Sequence, residues 1–211
     1  MNFAIKQSHG TVLEIHTVGD RILRENAKMV TNFDKNLESF IGDMLATMYA
    51  MEGIGLAAPQ VGKLLKIVVI DLSPCSSEGD ECDFDGNKVK EIGSIMPLCL
   101  INPVIKKYSS EVISQNEGCL SIPDFSGRVK RPVVVVLTFV DQQNVSHALS
   151  CDGMLARCVQ HEVDHLNGKL YTDLLTQRDK KRFAKYLSER SKTRLSKSNH
   201  GNTGAAQDFQ G

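Results

Sequence analysis

The feature that most constrains the fold of this chain is a strand-rich middle without helical spacing. Short apolar and β-branched runs occupy residues 66–71, 98–101, 111–115, 132–140 and 145–150. A turn signal at 141–144 predicts a hairpin, and the continuous run at 132–140 predicts a strand buried on both faces. Residues 73–93, rich in acids, glycine and serine, are typical of an exposed loop, so Cys75 and Cys82 are predicted to be loop thiols.

Helical segments flank this middle on both sides. The spacing i, i+3, i+4 predicts a helix from Asp34 to Gly53, a second from Asp152 to Asn167 and a third over residues 176–189. Strands and helices do not alternate regularly, as a doubly wound parallel sheet requires, so the order favours an α+β fold. We expect a single domain over residues 1–190 and a disordered polar tail over 191–211.

Composition narrows the classes of function. The formal net charge is zero, which argues against a global attraction to nucleic acid or to an anionic membrane. No apolar run approaches the roughly 18 residues that a membrane span needs, and the first residues lack the apolar core of a signal peptide. The six cysteines form no C-x-x-C pair, which favours free thiols in a reducing, cytoplasmic setting.

One helical segment carries a motif typical of zinc hydrolases. Residues 160–165 read QHEVDH, and on a helix His161 and His165 lie on one face, about 6 Å apart. Glu162 is next to the first histidine and can act as a general base on water beside a shared metal ion. Asp164 precedes the second histidine and is expected to orient a neighbouring group.

A catalytic metal site usually has three protein ligands, so a third must come from elsewhere. The downstream acids Asp179 and Glu189 lie in a highly charged helix and resemble solvated residues. Upstream, residues 117–121 read EGCLS, and Cys119 lies in a turn-like segment; as a free cysteine it could equally be a small buried apolar residue. A thiolate with two imidazoles would suit iron(II), zinc, cobalt or nickel.

A third segment, GIGLAAPQVG at 53–62, matches the glycine pattern of a dinucleotide site. That pattern must follow a strand and open a helix, whereas here a helix precedes it and Pro59 and Gly62 leave no room for another. The favoured interpretation is a close-packed backbone segment whose polar side chain, Gln60, can donate a hydrogen bond to an oxyanion.

Together, GIGLAAPQ, EGCLS and QHEVDH resemble, in order, the three signature motifs of the peptide deformylases, and the likeness extends over about residues 11–190. The resemblance implies mixed or antiparallel sheets around a central helix that carries the histidine pair. It also implies a metal-dependent hydrolase that removes the formyl group from the first methionine of new polypeptides and releases formate. Two alternatives stay open at this point: a zinc peptidase of another kind, and a non-catalytic metal module.

The resemblance assigns roles to individual residues. It implies one divalent ion per chain, typically iron(II), with zinc, nickel or cobalt as substitutes. The expected metal ligands are Cys119, His161 and His165. The expected catalytic groups are Glu162 as general acid and base, with Gln60 and the backbone N–H of Leu120 facing the oxyanion.

Substrate and supporting residues follow from position. Ile54, Met154 and Cys158 are candidates for an apolar pocket, because Met154, Cys158 and His161 recur at i, i+4 and i+7. Gly55 would let an extended substrate backbone approach. Glu117 and Arg131 are expected to pair behind the metal ligands.

The chain also departs from the family pattern. Many members carry an arginine shortly after EGCLS-x-P that helps to hold the peptide, and here Ser126 takes the similar position, with Arg128 two residues on. His9, His16 and His147 have no motif context and are predicted to be surface or structural residues.

The expected partners are N-formyl-methionyl nascent peptides. A transient ribosome contact through the basic last helix is a further possibility, against the alternative of a solvated helix face; stable nucleic-acid binding is not expected.

Overall fold

The computed structural model describes residues 10–73 and 82–200, with side chains described as far as residue 192. Within these ranges the helices are α1 (Lys35–Ala50), α2 (Gly153–Leu166) and α3 (Gln177–His200). The strands are β1 (Gly55–Ala57), β2 (Ile67–Ile70), β3 (Cys82–Phe84), β4 (Asn87–Val89), β5 (Leu98–Tyr108), β6 (Val112–Cys119), β7 (Ile122–Pro132), β8 (Val135–Val140) and β9 (Ser146–Cys151).

Two antiparallel sheets organise the fold. The larger has the strand order β1-β2-β5-β8-β9-β3-β4, and the smaller is the hairpin β6-β7. Every strand pair within them is antiparallel. The predicted α+β class is confirmed, and the predicted hairpin around residues 141–144 is the pair β8-β9.

The helices α1 and α2 cover opposite faces of the larger sheet. On β2, Ile67 and Val69 pack in one core cluster with the buried face of α1, while Val68 and Ile70 pack in another with α2. Successive side chains of a strand point to opposite faces, which accounts for this division. Asp34 caps α1 by accepting hydrogen bonds from the backbone N–H groups of Asn36 and Leu37, as its position before the apolar repeat predicts.

β5 and β6 extend beyond the predicted runs 98–101 and 111–115, and two further differences concern β7 and β8. β7 was not predicted, because the polar and charged residues of 122–132 hide its alternation: Phe125, Gly127, Val129 and Arg131 are buried while their neighbours are exposed or half-buried. The strand predicted at 132–140 begins at Val135, since Pro132 ends β7. Its predicted burial on both faces is wrong: Val135, Leu137 and Phe139 are buried, but the alternate residues are only half-buried.

The segment predicted to be an exposed loop contains a hairpin. β3 pairs with β9 and so extends the larger sheet, and the turn at Asp85-Gly86 has positive φ angles of 51° and 80°. Cys82 is buried in β3, so its prediction as a loop thiol is wrong; Cys75 lies outside the described residues. The alternation of Cys82 and Phe84 with Asp83, followed by Asp-Gly, is the signal that the composition of the whole stretch obscured.

His147 on β9 joins this hairpin to the next. Its Nδ1 lies 2.7 Å from Oδ2 of Asp85, in the β3-β4 turn, and its Nε2 lies 3.1 Å from Oδ2 of Asp141, in the β8-β9 turn. Burial by itself would lower the pKa of His147, but the hydrogen bonds to Asp85 and Asp141 raise it above the usual value. The prediction of a structural role for this histidine is therefore confirmed.

α3 extends further than predicted, to His200 instead of residue 189. The residues added are largely Lys, Arg and Ser without Pro or Gly, so nothing ends the helix before Gly201. Residues 191–200, expected to begin a disordered tail, are therefore helical, whereas 201–211 lie outside the described residues. The division into one domain up to residue 190 and a tail stays a prediction. None of the helices in the described ranges is long and apolar enough to cross a bilayer.

Candidate metal centre

α2 presents its two histidines on a buried face. The helix packs against β1 and β2 of the larger sheet and against β7 of the smaller one. His161 and His165 are 8% and 1% exposed, and their ring centroids are 5.0 Å apart. Two buried imidazoles one helical turn apart need polar partners, since an unpaired buried polar group is costly.

The sulfur of Cys119 supplies the third donor. Cys119 ends β6 at the turn into β7, and its Sγ lies 3.3 Å from Nε2 of His165. The donor atoms of Cys119, His161 and His165 all lie within 4.8 Å of one another. The predicted ligand set is thus brought together, and one soft sulfur with two imidazole nitrogens fits a divalent transition metal.

Glu117 fixes the orientation of His161. The Nδ1 of His161 lies 3.0 Å from Oε2 of Glu117, which directs Nε2 towards the other donors. Burial alone would raise the pKa of Glu117, but hydrogen bonds from His161 and Arg131 lower it to about 2. Burial likewise opposes protonation of His161, while its hydrogen bonds to Cys119 and Glu117 raise its pKa to about 10; a cation at the three donors would compete with that proton.

Two arginines hold the same carboxylate. Arg131 donates from Nε to Oε1 of Glu117 at 2.7 Å and from Nη2 to Oε2 at 2.9 Å, so the predicted pairing is present. Its Nη1 also donates to Oδ2 of Asp164 at 2.8 Å. Arg157 donates from Nη1 to Oε1 of Glu117 at 2.5 Å. Sequence reasoning missed Arg157; the available signal was its position one helical turn before His161, on the same face.

The carboxylate of Glu162 is enclosed beside the ligands. Glu162 is 4% exposed, and its Oε2 has no hydrogen-bond partner among the described residues. Burial raises the pKa of Glu162 to about 7. Gly55 makes room for it: a Cβ at position 55 would lie 2.6 Å from Oε1 of Glu162 and 2.8 Å from Sγ of Cys158.

The glycine-rich segment positions Gln60. It forms β1 and a single 3-10 turn, Ala58–Val61, that ends at Gly62 with a φ of 83°. It therefore lacks the strand-to-helix order of a dinucleotide site. The Oε1 of Gln60 accepts from the N–H of Ala57 at 2.8 Å, and this orients Nε2 towards Sγ of Cys119 at 3.4 Å and Oγ of Ser121 at 3.2 Å.

A cavity of about 500 Å³ opens onto these groups. The residues predicted for the site that line it are Ile54, Gly55, Gln60, Cys119, Leu120, His161 and Glu162. Ser126 lines it too, whereas Arg128 is not among the lining residues. Cys158 lies behind Gly55, with Sγ 3.8 Å from the carbonyl oxygen of Ile54. Met154 is 39% exposed at the start of α2, and the structure does not bring it to the cavity.

Comparison with known proteins gives consistent matches. The model of the polypeptide deformylase family matches residues 12–181, a range that contains all three motifs. A peptide deformylase of Microchaete diplosiphon is 45% identical over 161 residues, which are 76% of this chain and 78% of that protein. A peptide deformylase of Prochlorococcus marinus subsp. pastoris is 42% identical over 175 residues, 82% of this chain and 79% of that protein.

Solved structures agree with these sequence matches. The crystal structure of a peptide deformylase from Synechococcus elongatus in complex with actinonin has a TM-score of 0.68 and 40% identity, covering 83% of this chain and 85% of that one. A plant peptide deformylase has a TM-score of 0.74 and 32% identity, covering 96% and 99%. The similarity therefore extends over the fold as well as the motifs.

Proposed function

This chain belongs to the peptide deformylase family, and from that premise we propose how its own residues carry out the reaction. The protein is a metal-dependent hydrolase that removes the N-formyl group from nascent polypeptides. Water adds to the formyl carbon, the C–N bond breaks, and formate and a free amino terminus leave. The observation that carries the assignment of roles is that the donor atoms of Cys119, His161 and His165 lie within 4.8 Å of one another, beside the cavity that Glu162 lines.

Cys119, His161 and His165 would hold one divalent ion. When bound, the ion supplies a Lewis acid and lowers the pKa of water towards neutrality. We assign iron(II) as the native ion, in line with the resemblance to bacterial deformylases. Zinc, nickel or cobalt can substitute, because a thiolate with two imidazoles accepts each of them.

Glu162 is the general base and then the general acid. Its carboxylate follows a metal ligand directly, is enclosed, and lines the cavity that the substrate must enter. It takes a proton from the attacking water and returns it to the leaving amine. No other carboxylate that lines the cavity is buried: Glu52 and Asp124 are exposed.

Gln60 and Leu120 stabilise the developing oxyanion. The longer of the two Nε2 contacts of Gln60, at 3.4 Å to Sγ of Cys119, can be shared with an oxygen in the cavity while the bond to Ser121 is kept. Leu120 follows Cys119 and lines the same cavity, so its N–H is the second donor. Loss of one such donor costs about 2.7–4 kcal/mol of transition-state stabilisation.

Ile54 and Gly55 contact the formyl-methionine. Both line the cavity beside Glu162, and we propose that an extended substrate backbone lies along the strand at Gly55. Cys158 supports this wall from behind through its contact with the carbonyl of Ile54. The methionine side chain then extends along an apolar surface that includes Leu120 and Phe125.

The decisive test is Glu162→Gln in metal-loaded protein prepared without oxygen. We expect metal content to be retained and formate release from a formyl-Met peptide to fall by about 10²–10⁴-fold, the usual worth of general acid–base catalysis. Glu189→Gln, an exchange of the same type on the exposed face of α3, is the control. Wild-type protein that releases no formate, or cleaves acetyl-Met peptides or internal bonds as fast, would contradict the proposal.

The place of action follows from the substrate. We propose a cytoplasmic protein that meets nascent chains as they emerge and contacts the ribosome transiently, without stable nucleic-acid binding. Exposed basic residues support the contact: Arg178, Lys180, Lys181, Arg182 and Lys185 all lie on α3. Free thiols at Cys82, Cys99 and Cys158 support a reducing compartment.

A further inference from the structure

We infer that Arg157 is a positioning residue for the metal site. Its side chain holds the carboxylate of Glu117, and Glu117 in turn holds His161 in the correct position relative to Cys119. The inference rests on the metal-dependent function proposed above. Arg157 is 5% exposed and belongs to the same helix as both histidines, yet all its hydrogen bonds reach the small sheet that carries Cys119.

The carboxylate of Glu117 is fully engaged. Oε1 accepts from Nε of Arg131 at 2.7 Å and from Nη1 of Arg157 at 2.5 Å. Oε2 accepts from Nη2 of Arg131 at 2.9 Å and faces Nδ1 of His161 at 3.0 Å. A carboxylate has about four acceptor positions, so these contacts leave it no alternative orientation. Arg157 and His161, one helical turn apart, thus hold opposite oxygens of one side chain.

Arg157 also binds the backbone of both strands of the small sheet. Its Nη2 donates to the carbonyl oxygen of Ile113 on β6 at 3.0 Å, and its Nη1 reaches that of Val129 on β7 at 3.3 Å. A two-stranded hairpin has little stability by itself, so its position depends on what packs against it. The guanidinium therefore helps to fix the position of the hairpin relative to α2, and with it the distance from Cys119 to the histidines.

Arg157 supplies one of the two guanidinium charges that contact the carboxylate of Glu117. Arg131 and Arg157 face the carboxylates of Glu117 and Asp164. Removal of the Arg157 guanidinium takes one positive charge away from the buried carboxylate of Glu117, where the loss of a charged partner is costly. The carboxylate of Glu117 then loses a donor and gains freedom to turn away from His161.

A purely structural role for Arg157 makes a different prediction, and the chain offers a matched control. Gln160 is also buried on α2 and also joins it to β7, by donating to the carbonyl oxygen of Pro132 at 3.0 Å, but the structure records no hydrogen bond from it to Glu117. If Arg157 only anchored the helix, Arg157→Met and Gln160→Met would have the same effect on the metal site.

Cobalt(II) binding tests the inference without relying on turnover. Cobalt ion is titrated anaerobically into metal-free wild-type, Arg157→Met, Arg157→Lys and Gln160→Met proteins, and its visible absorption reports the coordination geometry. We expect Arg157→Met to bind cobalt about 10–100-fold more weakly, the usual effect of losing a partner behind a ligand, with altered absorption bands. Arg157→Lys keeps the positive charge but loses the planar guanidinium with its several donors, so its cobalt affinity should be intermediate. Gln160→Met should retain the wild-type absorption bands.

The inference is overturned if Arg157→Met matches wild type in cobalt affinity and bands, or differs no more than Gln160→Met does. If Arg157→Met does not fold, Arg157→Lys decides: wild-type affinity and bands contradict the inference, and an intermediate affinity with altered bands supports it. Failure of the proposed function shows separately, as wild-type protein that binds cobalt with the expected sulfur and nitrogen ligands and releases no formate when loaded with iron(II).

Discussion

At the scale of single residues, Gly55 decides where the Glu162 carboxylate can lie. A methyl group at position 55 would stand 2.6 Å from Oε1 of Glu162 and 2.8 Å from Sγ of Cys158, both closer than van der Waals contact allows. Both neighbours lie on α2, so the side chain of Glu162 would have to turn. If Glu162 acts as proposed above, a side chain at position 55 would therefore disturb catalysis as well as packing.

We predict that Gly55→Ala lowers kcat for formyl-Met peptides on the order of 10–100-fold, because small displacements of a catalytic group are costly, while the metal ligands are retained. Steady-state kinetics and metal analysis on the same preparation measure this. Gly93→Ala, where the nearest atom to the new Cβ is Oγ of Ser73 at 3.8 Å, is the control and should keep wild-type kcat. An active Gly55→Ala protein would show that Glu162 has another position open to it.

The residues of the three motifs could be predicted from sequence, and so could the pairing of Arg131 with Glu117, but the role of Arg157 could not. Cys119, His161 and His165 carry recognisable chemistry at recognisable spacing, and the structure brings them together. The contact of Arg157 with Glu117 depends on how a helix meets a strand forty positions away, which no local pattern records. Met154 illustrates the reverse error: its spacing from His161 fits one helix face, but its side chain is 39% exposed while the next two residues, Leu155 and Ala156, are fully buried.

At the scale of elements, the imidazole of His147 links the turn of the β3-β4 hairpin to the turn between β8 and β9. His147 contacts carboxylates of two different turns, Asp85 and Asp141, and both ring nitrogens can donate only in the protonated form. Its pKa in the folded protein is raised, against about 6.5 in an unfolded chain. Its contribution to the free energy of unfolding is thus complete below pH 6.5 or so and is lost as pH rises through the folded-state pKa.

We therefore predict that wild type exceeds His147→Gln in free energy of unfolding by more at pH 6 than at pH 9. Urea unfolding of both proteins at the two pH values, with metal held constant, gives the comparison. Asp85→Asn removes one of the two carboxylate charges that face His147 and should reduce the pH dependence in the same direction. An equal difference between wild type and His147→Gln at both pH values would contradict the role of the charged imidazole.

Element boundaries show why composition misleads. Residues 73–93 as a whole read as a loop because acids and glycines outnumber apolar residues, yet two alternate buried residues before an Asp-Gly turn suffice for β3 to join the larger sheet. β7 was hidden for a related reason: one of its inward residues is Arg131, whose burial is explained by its ion pairs with Glu117 and Asp164. A search for hydrophobic periodicity cannot detect a strand whose buried side chains include charged ones.

At the scale of the whole molecule, the three proposed metal ligands, Cys119, His161 and His165, come from parts of the fold that pack in different core clusters. α2 belongs to the core of the larger sheet, whereas Cys119 packs with the cluster around Tyr171 and Phe125 beneath the hairpin. An ion that binds this folded arrangement and not the unfolded chain stabilises the protein by about 2.7 kcal/mol at a free concentration of one hundred times Kd.

Chelation of the metal should therefore lower Tm by roughly 5–10 °C for a chain of this size. Differential scanning calorimetry of metal-loaded and chelator-treated protein measures the shift. The same treatment of Cys119→Ala, which lacks one donor, should produce a much smaller change. A full-sized shift in that variant would mean that the ion binds somewhere other than at Cys119, His161 and His165.

The contacts of Arg157 and His161 with the two carboxylate oxygens of Glu117 affect how the site can unfold locally. Because the hairpin β6-β7 is bound to α2 through one saturated carboxylate, the hairpin cannot swing away from the helix without releasing several hydrogen bonds at once. Movement of a single ligand residue out of the site is therefore suppressed. The remaining route is a larger, cooperative opening in which the whole hairpin separates from the helix. Loss of the ion from the folded protein would then be slow and governed by that event.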